Sequence, residues 1–149
     1  MTATSAINAY TKVGTESAVI GADPHALISI LFQGALLAIA DAKNDILRNE
    51  LTAKGKSISK AISIIGQGLN ASLDKSAGGE LARNLSSLYD YMVRRLVAGN
   101  SSNDVAALDE VTRLLTQLTE AWDAIRPQVM NTEAQSDAPP NAKRVYATA

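Results

Sequence analysis

The sequence predicts an all-α protein, an antiparallel bundle of four helices spanning residues 23–126. Three observations lead there. The four prolines, at positions 24, 127, 139 and 140, all lie at or outside the ends of the periodic region, and proline is excluded from helix interiors. Apolar residues then recur at spacings of three and four through most of residues 24–126. Strand-like alternation is absent, and only 4% of residues are aromatic. A chain of 149 residues supports one domain with a substantial core.

Residues 1–22 form a separate N-terminal segment. Ile7, Tyr10 and Val13 fall at i, i+3 and i+6, enough for one amphipathic turn that is too short to be stable alone. The first long helix opens with Asp23 as N-cap and Pro24 at its first position, and runs to about Arg48. Ile28, Leu31, Ala35, Ile39, Ala42 and Ile46 share one stripe. Leu27, Ile30 and Leu37 flank it on one side, Phe32, Leu36 and Ala40 on the other. Over its first four turns the helix is therefore apolar nearly all round, so it is central to the fold or covered by a partner.

A break is expected around Asn49–Thr52. The second helix carries Ile58, Ala61, Ile62, Ile65, Leu69 and Leu73, with Gly66 and Gly68 inside it. Each glycine costs roughly 1 kcal/mol of helix propensity; close packing or a kink accounts for them better than a groove for another chain. Lys54, Lys56 and Lys60 near its start read as a solvated face. Gly78-Gly79 ends this segment. The third helix places Leu81, Leu85, Leu88, Tyr89, Met92 and Leu96 on one face. Asp90 and Arg94 on the opposite side suit an exposed i, i+4 pair, and Arg95 is expected to lay its stem over the apolar stripe. Val93 and Val97 lie off the main stripe. Gly99-Asn100 marks the end of this helix. The fourth begins near Ser102 or Asn103, with Leu108, Val111, Leu115, Leu118, Trp122 and Ile125 as a heptad-like seam, and Pro127 stops it. Residues 127–149 have the composition of a disordered tail. Short connections make neighbouring helices antiparallel.

Composition excludes several functions. The net charge of −1 argues against nucleic-acid binding. Cysteine is absent, which removes disulfide and thiol chemistry. The N-terminus lacks a basic region followed by an apolar one, so no secretory signal is visible. The longest apolar run, Leu27–Ala40, is broken by Ser29, Gln33 and Gly34 and falls short of the ~20 residues of a membrane span, so no membrane insertion is expected.

No catalytic or metal-binding constellation is found, and neither an enzyme nor a cofactor is expected. The one histidine, His25, has Ile28 and Ser29 at i+3 and i+4, which offers no metal partners and no Glu-x-x-His pair. It lies in the first helical turn, whereas a phosphotransfer histidine sits exposed in mid-helix. Gly66-x-Gly68 lacks the third glycine and the preceding strand of a phosphate loop. Tyr89 and Trp122 read as core aromatics. What remains is surplus apolar surface on the first helix. If about 600 Å² of it were left in water, covering it would be worth on the order of 15 kcal/mol gross, much of which association would offset. The N-terminal segment either completes the core or covers this surface until a partner displaces it; the sequence leaves both open.

Several motifs, in order, carry a resemblance. They are Ile7-x-x-Tyr10, Asp23-Pro24-His25-x-Leu27-Ile28, Leu31-Phe32-x-Gly34-Ala35, Lys54-Gly55-Lys56 with Ser59-Lys60-Ala61, Gly78-Gly79-Glu80, Leu88 through Leu96, Asn103-Asp104 and Ala121-Trp122. Over roughly residues 7–126 the chain resembles the FliS family of flagellar export chaperones. Asp23 stands where many relatives have Ser, an equivalent cap. The resemblance implies an antiparallel four-helix bundle with a short N-terminal helical cap. It also implies a cytoplasmic, non-enzymatic chaperone that binds the C-terminal segment of flagellin and docks on the cytoplasmic domain of the export-gate protein FlhA. Ile7 and Tyr10 would cover the groove when it is empty and be available to the export gate when it is loaded. Ile30, Phe32, Leu37, Ile64 and Val93, chosen from the surplus apolar faces, are the expected groove lining. Binding of the anti-sigma factor FlgM and homodimerisation stay open. The competing readings are a signalling or phosphotransfer bundle and a client-free structural dimer.

Overall fold

The computed structural model describes residues 21–136 and is helical throughout, with no strand among the described residues. Helix α1 spans Pro24–Leu47. Its start is fixed as the sequence predicts: the Asp23 carboxylate accepts the Ala26 N–H at 2.8 Å, and Pro24 needs no donor partner in the first turn. Arg48 closes the helix and Asn49 turns the chain in the left-handed region at φ 56°, which asparagine tolerates better than most residues. The Glu50 N–H then bonds the Asp45 carbonyl at 2.8 Å. Asp45, buried under this turn, accepts a hydrogen bond from the Ser57 hydroxyl at 3.2 Å.

Helix α2 begins as Leu51–Ser63, widens into a π segment over Ile64–Leu69 and tightens to a 3₁₀ turn over Asn70–Ser72. The kink expected from Gly66 and Gly68 is thus a change of helix type. A Cβ on Gly66 would meet nothing within 4 Å, so close packing does not require glycine there. The wider turn shifts the phase of the residues that follow, and Leu69 is buried while Leu73 packs partly buried on the core.

Helix α3 spans Gly79–Ser102. The turn before it requires both glycines. A Cβ on Gly78 would lie 2.7 Å from the Ala82 Cβ and 2.8 Å from the Asp74 carbonyl oxygen, and Gly79 has φ +57°. Helix α4 spans Val105–Ala124, with Asp104 as N-cap to Ala106 at 3.0 Å. Between them Asn103, at φ 51°, closes α3. The third helix therefore runs past the expected stop at Gly99-Asn100, and the fourth starts two or three residues later than Ser102 or Asn103. Gly99 remains inside α3, where a Cβ would sit 3.3 Å from Leu108 Cδ2. Its role is to let the start of α4 approach, rather than to end α3.

Helix α1 packs on α2 and α4, and α3 packs on the same two. With short turns between consecutive helices this is the antiparallel four-helix bundle. One core runs through it, built from Leu31, Ala35, Ile39 and Ala42 of α1, Ile58, Ala61, Ile64, Ile65 and Leu69 of α2 and its extension, Tyr89, Met92 and Leu96 of α3, and Leu108, Val111 and Leu115 of α4. By length and composition α1 could cross a membrane, contrary to the sequence estimate. Its buried stripe belongs to the bundle core, which accounts for the same apolar character.

Other expectations need correction. Pro127 does not stop the chain's helical course. It sits at the second position of a fifth helix, α5, Arg126–Ser136, where its missing N–H is harmless. The tail expected to be disordered is therefore helical over 127–136, and residues 137–149 lie outside the described residues. Lys54 is no part of a solvated face: it is 6% exposed, and its ammonium donates to the Asn100 carbonyl at 2.8 Å and to Asn103 Oδ1. The end of α3 supplies the acceptors, a favourable site for a cation. Asp90 and Arg94 do not form an ion pair; Asp90 instead accepts from Asn70 Nδ2 at 3.2 Å. Arg95 bonds Glu110 of α4 at 2.6 Å, and the Tyr91 hydroxyl donates to the same carboxylate at 2.9 Å.

Candidate functional site

The amphipathic helices leave one end of the bundle incompletely closed. There the start of α1, the end of the second helical segment, the start of α3 and the end of α4 line an apolar groove of about 350 Å³. Ile28 and Phe32 come from α1, Leu69, Ser72 and Leu73 from the second segment, Leu81, Leu85 and Tyr89 from α3, and Leu118, Ala121, Trp122 and Ile125 from α4 and its end. Besides the aromatic Tyr89 and Trp122, Ser72 brings the one polar side chain to this lining, and its hydroxyl is committed to the Gly68 carbonyl at 2.6 Å. Leu81 was expected on the buried face of the third helix. It is 69% exposed, at the third position of α3. Ile125, the last seam residue of α4, is 42% exposed. Such a surface offers shape and hydrophobic contact.

A polar cluster holds one wall of the groove. His25, 2% exposed, stacks on Trp122 with ring centroids 4.5 Å apart and planes within 5°. The two residues exchange hydrogen bonds: Trp122 Nε1–H donates to the His25 carbonyl at 2.9 Å, and His25 Nε2–H to the Trp122 carbonyl at 2.7 Å. That assigns the neutral ring its tautomer and leaves Nδ1 to accept from Arg126 Nη1 at 3.1 Å. Arg126 in turn grips Asp23 through both carboxylate oxygens, at 3.1 and 2.8 Å. The Arg126 hydrogen bonds, then the Ala26 N–H, lower the Asp23 carboxyl to about 2. The histidine read as a helix-start residue is thus also a tie between α1 and α4. Trp122 is a groove-lining aromatic as well as a core neighbour.

The residues expected to line a groove scatter. Phe32 does line it. Ile30 and Val93 pack partly buried against the core, and Leu37 is 62% exposed on another face of α1. Ile64 is fully buried inside the bundle and out of reach of a partner while the bundle is intact. Ile7 and Tyr10 lie outside the described residues. Among the described residues no group of three or more His, Asp and Glu side chains is placed to hold a metal ion.

The family model for the flagellar protein FliS matches residues 6–129, from the N-terminal segment to the first turn of α5. The chain belongs to the FliS family. It is 48% identical over 131 residues to the flagellar secretion chaperone FliS of Salmonella typhimurium, covering 88% of this chain and 97% of that one. It is 47% identical over 125 residues to the flagellar secretion chaperone FliSB of Pseudomonas aeruginosa, covering 84% and 98%. The FliS of Bacillus subtilis is 36% identical over 115 residues, covering 77% of this chain and 84% of that one. The FliS match takes in every helix that contributes to the groove, and both Asp23-Pro24-His25 and Trp122. Leu81, Leu85 and Ile125 were missed as candidate site residues because helical spacing places them on the core stripe. Spacing does not report where neighbouring helices end.

Proposed function

We propose that this chain is a cytoplasmic export chaperone for flagellin, and that the groove at the open end of the bundle receives helical parts of flagellin's C-terminal segment. The observation that carries this reading is a continuous apolar lining with Leu81 and Ile125 left in water. In a family whose relatives are named flagellar secretion chaperones, a surface of that kind fits a client captured through apolar side chains, as helices are in helix-in-groove recognition. The mechanism is differential binding: a segment that would otherwise self-associate is held, and no bond is made or broken. ATP and other cofactors have no part in it.

Ile7 and Tyr10 complete the proposal. They cover the groove when it is empty and are displaced by the client, and the loaded chaperone then presents them to the cytoplasmic domain of FlhA. Their double replacement by alanine is expected to weaken FlhA docking of the loaded complex more than flagellin capture. The client itself is tested by calorimetry with monomeric flagellin, intact and lacking its C-terminal helical segment. Binding of the intact form alone supports the reading. Equal binding of both forms, or of neither, contradicts it.

A further inference from the structure

We propose that the outward stripe of α1 pairs antiparallel with the same stripe of a second copy of this chain. Ile30, Gln33, Leu37, Ala40, Asn44 and Leu47 recur along α1 at alternating spacings of three and four. They stand opposite the core stripe of Leu31, Ala35, Ile39 and Ala42. Leu37 is 62% and Leu47 79% exposed, Gln33, Ala40 and Asn44 are exposed, and Ile30 is half-buried. A seam with this heptad spacing fits one further helix.

The stripe is complementary to itself in one register. Laid antiparallel on a copy, Ile30 meets Leu47 of the other chain, Leu37 meets Ala40, and Gln33 meets Asn44. Two-fold symmetry makes each layer occur twice. Leucine over alanine lets the helices approach closely, and the two amides can hydrogen-bond each other. Sliding the copy by one heptad either way sets Asn44 against an alanine, Ala26 or Ala40, and a polar residue in such a seam fixes register. A parallel pair would bring Arg48 beside Lys43 of the other chain, two like charges at flanking positions. The antiparallel pair puts Arg48 beside Leu27 and Lys43 beside Leu36, and lets Lys43 keep its ion pair with Asp109 of its own chain. It also opposes the two helix dipoles. These matches lie within a single sequence, so the occupant is a second copy rather than an unrelated helix.

From Ile30 to Leu47 the layers span roughly 27 Å of helix. One helix pair of that length buries less than the ~1,200 Å² typical of a stable interface. The dimer is accordingly weak, with a dissociation constant of about 10–100 µM. Ile28 and Phe32, the α1 residues that line the apolar groove, lie on another side of the helix. Pairing therefore leaves the groove open, and the proposal stands apart from the identity of the client.

Sedimentation velocity on the full chain, from about 1 to about 300 µM, spans that range. The weight-average mass should rise from that of one chain toward twice that. Leu37→Glu and Ala40→Arg should each weaken association by about tenfold or more. Mixed in equal amounts, the two variants should associate again. The introduced carboxylate then faces the introduced guanidinium in one layer, and the other layer keeps leucine on alanine. Val97→Glu, at a position 51% exposed on α3, should dimerise like the natural chain. The proposal is overturned by a natural chain that stays monomeric throughout, by association that survives Leu37→Glu or is lost in Val97→Glu, or by a mixture that does not recover. A monomeric chain in which the flagellin C-terminal segment protects α1 around Leu37 would also overturn it and assign the face to the client. Should Leu37→Glu fail to fold, Leu47→Glu, facing Ile30 of the other copy, takes its place with the same expected loss.

Discussion

Replacing Leu81 by Glu separates binding from folding. Leu81 is 69% exposed and stands at the third position of α3, on the rim of the groove. Little is lost from the fold, because most of the side chain is already in water. A carboxylate in the first turn is favoured by the helix dipole by about 0.3–1 kcal/mol, so the melting temperature should move by less than about 2 °C. Binding is another matter. A client covering Leu81 gains about two thirds of the roughly 1.5–3 kcal/mol available from burying a leucine. The variant forfeits that gain and must also desolvate or displace a carboxylate. A combined loss of about 2–4 kcal/mol corresponds to roughly 30- to 700-fold in affinity. Circular dichroism melting and calorimetry with flagellin measure the two quantities on one preparation. Affinity within about twofold of the natural chain, with the fold intact, would refute the assignment of this rim to the client.

Other substitutions test the fold and its electrostatics. Ile39→Ala, at a fully buried core position, should cost about 2–5 kcal/mol in urea denaturation, whereas Leu37→Ala two residues away on an exposed face should stay within about 0.5 kcal/mol. Asn103→Ala should cost about 1 kcal/mol more than Asn103→Gly, because both lose the Lys54 contact while only alanine is strained at φ 51°; equal losses would show that the left-handed cap adds nothing. Asp23 has its folded-state pKa lowered from 3.8 to about 2, chiefly by Arg126. Its contribution is present above the unfolded value and is lost as pH falls from about 4 to about 2. Arg126→Met should therefore flatten the pH dependence of the melting temperature in that window, and an unchanged profile would contradict the pairing.

The helix order was legible because its signals are local. Asp23-Pro24 announces a capped start, Gly78-Gly79 marks a turn that side chains could not make, and the stripe from Leu31 to Ala42 names the core face of α1. The errors fall where a distant partner decides. Lys54 looks solvated from its lysine neighbours, and only the arrival of the α3 terminus 46 residues later explains its burial. Arg95 bonds Glu110, 15 residues further on and in another helix, instead of lying over the apolar stripe. The His25–Trp122 stack joins residues 97 apart and has no local signature. The groove was read from surplus apolar surface along α1. The open surface instead lies where four helix ends come together, and seam residues such as Leu81 and Ile125 are exposed at its rim. Helical periodicity specifies which side of a helix is apolar, and the lengths of its neighbours specify how much of that side is covered.

The central claim is that the client occupies this groove. Hydrogen exchange on the full chain, with and without saturating flagellin C-terminal segment, tests it most directly. The account predicts added protection in the first turns of α3 around Leu81 and Leu85 and at the end of α4 through Ile125, with the α2–α3 face away from the groove unchanged. Protection confined to the exposed side of α1 around Leu37, with none gained at the rim, would contradict it.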